Sequence, residues 1–152
     1  MDRILATYPE KCDGCGDCAR ACEVIAPGRA SRIRLIGLAD EQVWVPVVCQ
    51  HCESPQCALV CPTGAMARNE ATGFVDWDEA RCVGCKMCMV ACPAGAIRFD
   101  REAKKVMKCD LCGGAPACVK VCKMGALGWS GARMIGHPRR VAVVERLLRM
   151  VR

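Results

Sequence analysis

Sixteen cysteines fall into four quartets with none left over, and no other feature limits the fold of this chain as strongly. The quartets are Cys12, Cys15, Cys18, Cys22; Cys49, Cys52, Cys57, Cys61; Cys82, Cys85, Cys88, Cys92; and Cys109, Cys112, Cys118, Cys122. The first and third share the spacing C-x2-C-x2-C-x3-C, while the second widens its middle gap to four residues and the fourth to five. This is an internal repeat, and a repeat constrains architecture before any secondary structure is assigned. Three thiolates at i, i+3 and i+6 on a tight loop can hold three corners of one iron–sulfur cubane. The fourth cysteine, at the start of a short helix, is aimed at another. The pattern predicts four [4Fe-4S] clusters with exchanged fourth ligands, and all sixteen cysteines as their ligands.

Two other uses of so many thiols are weighed against this. Cysteine makes up about a tenth of the 152 residues, a level reached by disulfide scaffolds and by metal proteins. A disulfide framework belongs to a secreted chain, but MDRILATYPEK offers no apolar signal region, no small-residue cleavage site and no twin arginine. The expectation is a reducing, cytoplasmic setting. Charges or prolines interrupt every hydrophobic stretch before the ~20 residues of a membrane span, so no membrane span is expected. Structural zinc sites pair two C-x2-C knuckles across a longer insert, whereas here each knuckle carries a third cysteine three to six residues on. His51, between Cys49 and Cys52, reads as a group supporting the site or lying at the surface, since each quartet already supplies four thiols.

The residues around the cysteines fit close wrapping of a cluster. Cys61-Pro62-Thr63-Gly64-Ala65 and Cys92-Pro93-Ala94-Gly95-Ala96 repeat one another, and Cys122-Lys123-Met124-Gly125-Ala126 is a third copy without the proline. Proline ends the local helix and glycine permits positive φ, so backbone N–H groups can point at sulfur. Gly14, Gly16, Gly84 and Gly113 inside the loops serve the same approach. Lys11, Arg81 and Lys108 each stand directly before the first cysteine of a quartet. A cation there favours the reduced cluster and raises its potential, unless it is a solvated surface charge.

The run from Trp44 through Cys49-Gln50-His51-Cys52, Cys57 and Cys61-Pro62-Thr63-Gly64-Ala65 resembles the hallmark segment of four-cluster, ferredoxin-like electron-transfer subunits. That family includes the iron–sulfur subunits of dimethyl sulfoxide reductase, formate dehydrogenase and formate hydrogenlyase, the ferredoxin of carbon monoxide dehydrogenase, and small subunits of tungsten aldehyde oxidoreductases. The resemblance covers residues 1 to about 128. Glu23 after Cys22 and Lys123 after Cys122 depart from the proline of two-cluster ferredoxins, and neither removes a ligand. The family implies nested pairing. Cys12, Cys15 and Cys18 would then share a cluster with Cys122; Cys109, Cys112 and Cys118 with Cys22; Cys49, Cys52 and Cys57 with Cys92; and Cys82, Cys85 and Cys88 with Cys61. That the two quartets ending in Cys-Pro are the inner two agrees with nesting, and sequential pairing stays open at this point.

The expected fold class is α+β: tandem bacterial-ferredoxin-like lobes built around four [4Fe-4S] clusters, with a C-terminal amphipathic helix. Residues 1–30 with 104–130 form the outer lobe and residues 31–103 the inner lobe. Within the latter, Ser31 to Ile36 and Gln42 to Val45 read as a β-hairpin. Short strands are expected near Gly73 to Asp76 and Ile97 to Asp100, and helices of one to two turns follow each third cysteine, as in Met87 to Ala91. With only six aromatic residues, clusters must replace much of the core, and the apo chain should be largely unfolded.

Residues 131–152 differ in kind. They hold six arginines, one acid and no cysteine, with Val141, Val144, Leu147, Leu148 and Val151 at helical spacing. A helix docked on its own core, a partner-docking or self-association helix, and a basic membrane or nucleic-acid patch all fit this pattern, although nothing else suggests nucleic acid. Each oxidised cubane with its thiolates carries about −2, so the remainder of the chain becomes anionic while the tail stays basic. The tail is therefore expected to grip an anionic lobe of a partner or of another copy, a head-to-tail contact that could build a chain.

There is no dinucleotide fingerprint, no P-loop and no open ligand position. The chain reads as no enzyme on its own but as the electron-transfer component of an oxidoreductase complex. It would link a catalytic subunit with tungsten, molybdenum or nickel to a ferredoxin or a flavin subunit. Resemblance in length leans toward tungsten aldehyde oxidoreductase, with the ferredoxin subunits of carbon monoxide dehydrogenase, hydrogenase or formate dehydrogenase as alternatives. A free polyferredoxin and a redox-sensing or structural cluster protein are the readings from other classes.

Overall fold

The computed structural model describes residues 3–38, 43–131 and 148–149. Eight short strands and four short helices alternate with the cysteine loops, in a small mixed α/β fold. In chain order they are β1 (Arg3–Thr7), α1 (Asp17–Ile25), β2 (Arg34–Leu38), β3 (Val43–Val47), α2 (Gln56–Leu59), β4 (Met66–Arg68), β5 (Val75–Trp77), α3 (Met87–Ala91), β6 (Arg98–Asp100), β7 (Lys105–Met107), α4 (Ala117–Val121) and β8 (Leu127–Gly131).

Every sheet has two strands: β1 with β8, β2 with β3, β4 with β5, and β6 with β7. The antiparallel β1–β8 pair sets Leu5 opposite Trp129 and closes the described chain on itself. Helix packing follows the same nesting, α1 against α4 and α2 against α3. Thus the first cysteine segment meets the fourth, and the second meets the third.

The third cysteine of each quartet, not the fourth as the spacing suggests, opens a helix; Cys92 and Cys122 cap helix ends, Cys61 lies beyond one, and Cys22 sits inside α1. Pro93 lies beyond α3 and Pro62 beyond α2, and both helices are a turn or little more. Glu23 stands in place of that proline after Cys22 and α1 runs on for nine residues, longer than expected, whereas α4 ends at Val121 although Lys123 also stands in place of the proline. The hairpin forms, with Gly37 opposite Trp44, although β2 starts three residues later than the sequence suggests. Gly37 is needed there because a Cβ would fall 2.6 Å from the Trp44 ring.

Two apolar clusters make the core. One gathers Leu5, Ile33, Val48, Leu111 and Leu127 with Cys18 and Cys118; the other gathers Met66, Ile97 and Val106 with Cys88. Ile33 and Val48, flanking the hairpin, pack in the first cluster, so this part of residues 31–103 leans on the expected outer lobe. The strand β7 pairs with β6, which ties residues 105–107 to the inner side instead. The expected C-terminal helix lies outside the described residues apart from Leu148 and Arg149, both exposed. Among the described residues no helix is long and apolar enough to cross a membrane.

Candidate functional site

One backbone feature recurs in all four cysteine loops. The residue before the second cysteine has positive φ: +75° at Gly14, +45° at His51, +69° at Gly84 and +56° at Leu111. At Gly84 a side chain is excluded outright, since a Cβ would lie 2.3 Å from the Lys104 carbonyl oxygen. Leu111 and His51 hold the same turn without being glycine, at a strain of about 1–3 kcal/mol each. Leu111 is offset by complete burial. His51 is held by hydrogen bonding.

The helices then bring the thiols together in nested sets. Cys12, Cys15, Cys18 and Cys122 line one cavity of about 220 Å³, with Gly16, Leu35 and Pro46 among its walls. Cys82, Cys85, Cys88 and Cys61 line a second, narrower cleft, and Cys109, Cys112, Cys118 and Cys22 a third. Cys49 has Cys52 and Cys92 as electrostatic neighbours, and Cys57 has Cys49 and Cys92, which gathers the remaining four. No thiol of the sixteen stands outside a set. The geometry groups the cysteines as nesting requires, and not as sequential pairing would.

The sets also adjoin one another in a single order. Cys118 lies within electrostatic reach of Cys18, Cys109 of Cys49, and Cys88 of Cys57. The sequence of sets therefore runs from that of Cys12, through those of Cys109 and Cys49, to that of Cys82. Cys15 is exposed at one end and Cys85 at the other.

What such sets can hold follows from their chemistry. All first-choice donors are sulfur, and among the described residues no three His, Cys, Asp or Glu side chains converge as they would on a single metal ion. The thiols surround a space instead, which suits a polynuclear core better than zinc. Donors already face the sulfurs: the N–H groups of Arg32 and Leu111 donate to Cys22 Sγ and Cys109 Sγ, each at 3.3 Å. The indole N–H of Trp77 is buried without a partner among the described residues, and Trp77 lines the cleft of Cys61, Cys82, Cys85 and Cys88. A sulfide-bearing core would supply the missing acceptor. Burial pushes the Cys18 and Cys88 thiols up to about 11 and those of Cys109 and Cys118 up to about 12. As ligands they must surrender protons that the apo fold retains.

Two polar groups lie deeper than the sequence indicates. His51 is buried, with Nδ1 accepting from the Val75 N–H at 3.0 Å and its ring edge against Phe74 at 5.5 Å. Burial, reinforced by the Lys108 charge, pushes it down to about 3, so the imidazole is neutral, and a surface position for it is ruled out. Lys108 is 2% exposed and donates to the carbonyl oxygens of Val75 and Cys109. The other two basic residues preceding a quartet, Lys11 and Arg81, are exposed. Neither the burial of Lys108 nor the position of Trp77 has a local sequence signal, because both depend on β5.

Comparison with known proteins agrees with this chemistry. Residues 41–131 match the family described as 4Fe-4S dicluster domain, and residues 9–25 match a 4Fe-4S binding domain. The β subunit of NADH-dependent phenylglyoxylate dehydrogenase from Aromatoleum evansii is 40% identical over 81% of this chain, which spans only 29% of that longer protein. An uncharacterized ferredoxin of Methanocaldococcus jannaschii is 41% identical, with 84% of this chain and 71% of the relative covered. The thiosulfate reductase electron transfer subunit PhsB of Salmonella typhi is 38% identical, with 82% and 73% covered.

Proposed function

This chain belongs to the 4Fe-4S dicluster family, among the iron–sulfur electron-transfer subunits of oxidoreductase complexes, and from that premise we propose that its sixteen cysteines hold four [4Fe-4S] clusters in a line. The observation that carries the proposal is the single order of the four thiol sets, which places neighbouring sites side by side from Cys15 to Cys85. Each bound cluster supplies a one-electron centre. The chain does the rest: its loops turn N–H groups onto sulfur, its helices carry cysteines of adjacent sites, and its two exposed cysteines mark where redox partners approach.

The partner in this role is a catalytic oxidoreductase subunit with its own metal cofactor, tungsten first, molybdenum or nickel next, and the acceptor is a ferredoxin or flavin subunit. Val83, Met87 and Val90 are exposed near Cys85, an apolar surround suited to a protein partner. Anaerobic purification from the native cell, with metal analysis and identification of bound chains, tests this. Stoichiometric tungsten, molybdenum or nickel beside a larger subunit supports a complex; iron alone with no partner makes the chain a free carrier.

Two further outcomes follow from this reading. Trp77→Phe removes the indole N–H from the site of Cys61, Cys82, Cys85 and Cys88, so one of four midpoint potentials should fall while cluster content holds. Potentiometric titration followed by electron paramagnetic resonance reads this directly. The basic segment beyond Gly131 is proposed to grip an anionic cluster-bearing surface of a partner or second copy. Deletion of residues 132–152 should reduce the assembly size in light scattering, and an unchanged size would remove the idea.

A further inference from the structure

Lys108 is the only cation buried among the described residues, and no carboxylate among them forms an ion pair with it. The ion pairs there are Arg20–Asp17, Arg29–Glu79 and Arg32–Asp110. Two of its donors meet the Val75 and Cys109 carbonyls, and the third faces His51 Nε2 at 3.5 Å. Because His51 Nδ1 accepts from Val75, a neutral ring carries its proton on Nε2 and offers the ammonium no lone pair. Two carbonyl dipoles do not neutralise a buried charge, and an uncompensated one is strongly unfavourable.

Asp76 and Asp110 act on the neighbouring His51 without pairing with Lys108, and the cysteine sets that can add negative charge beside it lie on two sides. His51 sits in the loop between Cys49 and Cys52, while Lys108 directly precedes Cys109 and bonds its carbonyl oxygen. The Lys108 charge acts on Cys49 and Cys57 from one set and on Cys109 from the next. Val75 fastens the arrangement, giving its N–H to His51 and its carbonyl oxygen to Lys108 on the edge of β5 that faces away from β4.

We propose that Lys108 is a fixed cation shared by the two middle cluster sites, those of Cys49, Cys52, Cys57, Cys92 and of Cys109, Cys112, Cys118, Cys22, and that it raises both reduction potentials above those of the end sites. The proposal rests on the four-cluster reading. Each reduction adds one electron, supplied by the titrant, and hence one negative charge to a site. A buried cation beside it is screened little by water or salt and stabilises that added charge. Lys11 and Arg81 occupy the corresponding sequence positions but sit in solvent, Lys11 over the Tyr8 ring at 5.0 Å and Arg81 on the Thr63 carbonyl at 2.8 Å. Their sites lack this stabilisation. Reduction thus fills the middle of the line first, and the centre of the path holds up to two electrons before the end sites fill.

The test uses the full holoprotein with Lys108→Met, Lys108→Gln and Lys108→Arg. Iron and sulfide content of the wild type first establishes the four clusters; a wild type without them defeats the underlying reading and not the role of the lysine. In the neutral variants that load, two of four midpoints should shift negative while two hold, and Arg should restore both. Unshifted midpoints, or a uniform shift of all four, would overturn the proposal. If Met and Gln fail to load the two middle sites, loading by the Arg variant supports a requirement for charge, and equal failure by Arg reduces Lys108 to packing.

Discussion

Replacing Cys22 with serine should remove or alter the same paramagnetic signal as replacing Cys112, and should spare the signal lost on replacing Cys15. Cys18 and Cys22 lie on α1 at i and i+4, one turn and about 6 Å apart along the axis. Yet they face different sites. Cys18 has Cys12, Cys15 and Cys122 as neighbours, whereas Cys22 lines the cleft of Cys109, Cys112 and Cys118 and accepts the Arg32 N–H. The helix is thus a rigid spacer between adjacent thiol sets, and α4 repeats the device with Cys118 inside it and Cys122 as its C-cap. If the chain holds the four clusters proposed, iron content should fall by about a quarter in either variant. A Cys22→Ser spectrum matching that of Cys57→Ser would instead restore sequential pairing.

Removal of iron should abolish cooperative folding. Among the described residues no sheet exceeds two strands, and isolated two-stranded ribbons are marginal in water. The longest described helix, α1, has nine residues, below the ~12–15 at which isolated helices begin to persist. Cysteines are themselves members of both apolar clusters, so the core is continuous with the thiol sets. The buried ammonium of Lys108 adds to the cost of the apo fold, since its compensating charge leaves with the clusters. Anaerobic chelation should therefore collapse amide exchange protection throughout residues 3–38 and 43–131, with cluster assembly and folding inseparable. Retention of protected β1–β8 amides in iron-free protein would show a fold that stands by itself.

Legibility in the sequence tracked the range of the interaction. The helix Met87–Ala91 and the hairpin strands were readable because loop spacing and alternation are local. The four cysteine groups were readable because their spacing repeats along the chain. Pairing of β1 with β8 was not, since Arg3–Thr7 has no alternation and finds its partner more than a hundred residues away. The three basic residues preceding quartets were indistinguishable in sequence, and only packing against β5 separates buried Lys108 from exposed Lys11 and Arg81. His51 follows the same rule: its partner Val75 lies 24 residues on. The absence of proline after Cys22 and after Cys122 was visible, but that α1 extends and α4 does not needed the structure.

Counting iron and acid-labile sulfide per chain, in protein purified without oxygen, bears most directly on the account. Four cubanes give about sixteen of each, with Mössbauer spectra of [4Fe-4S] centres alone. About eight irons, or zinc without sulfide, would contradict it.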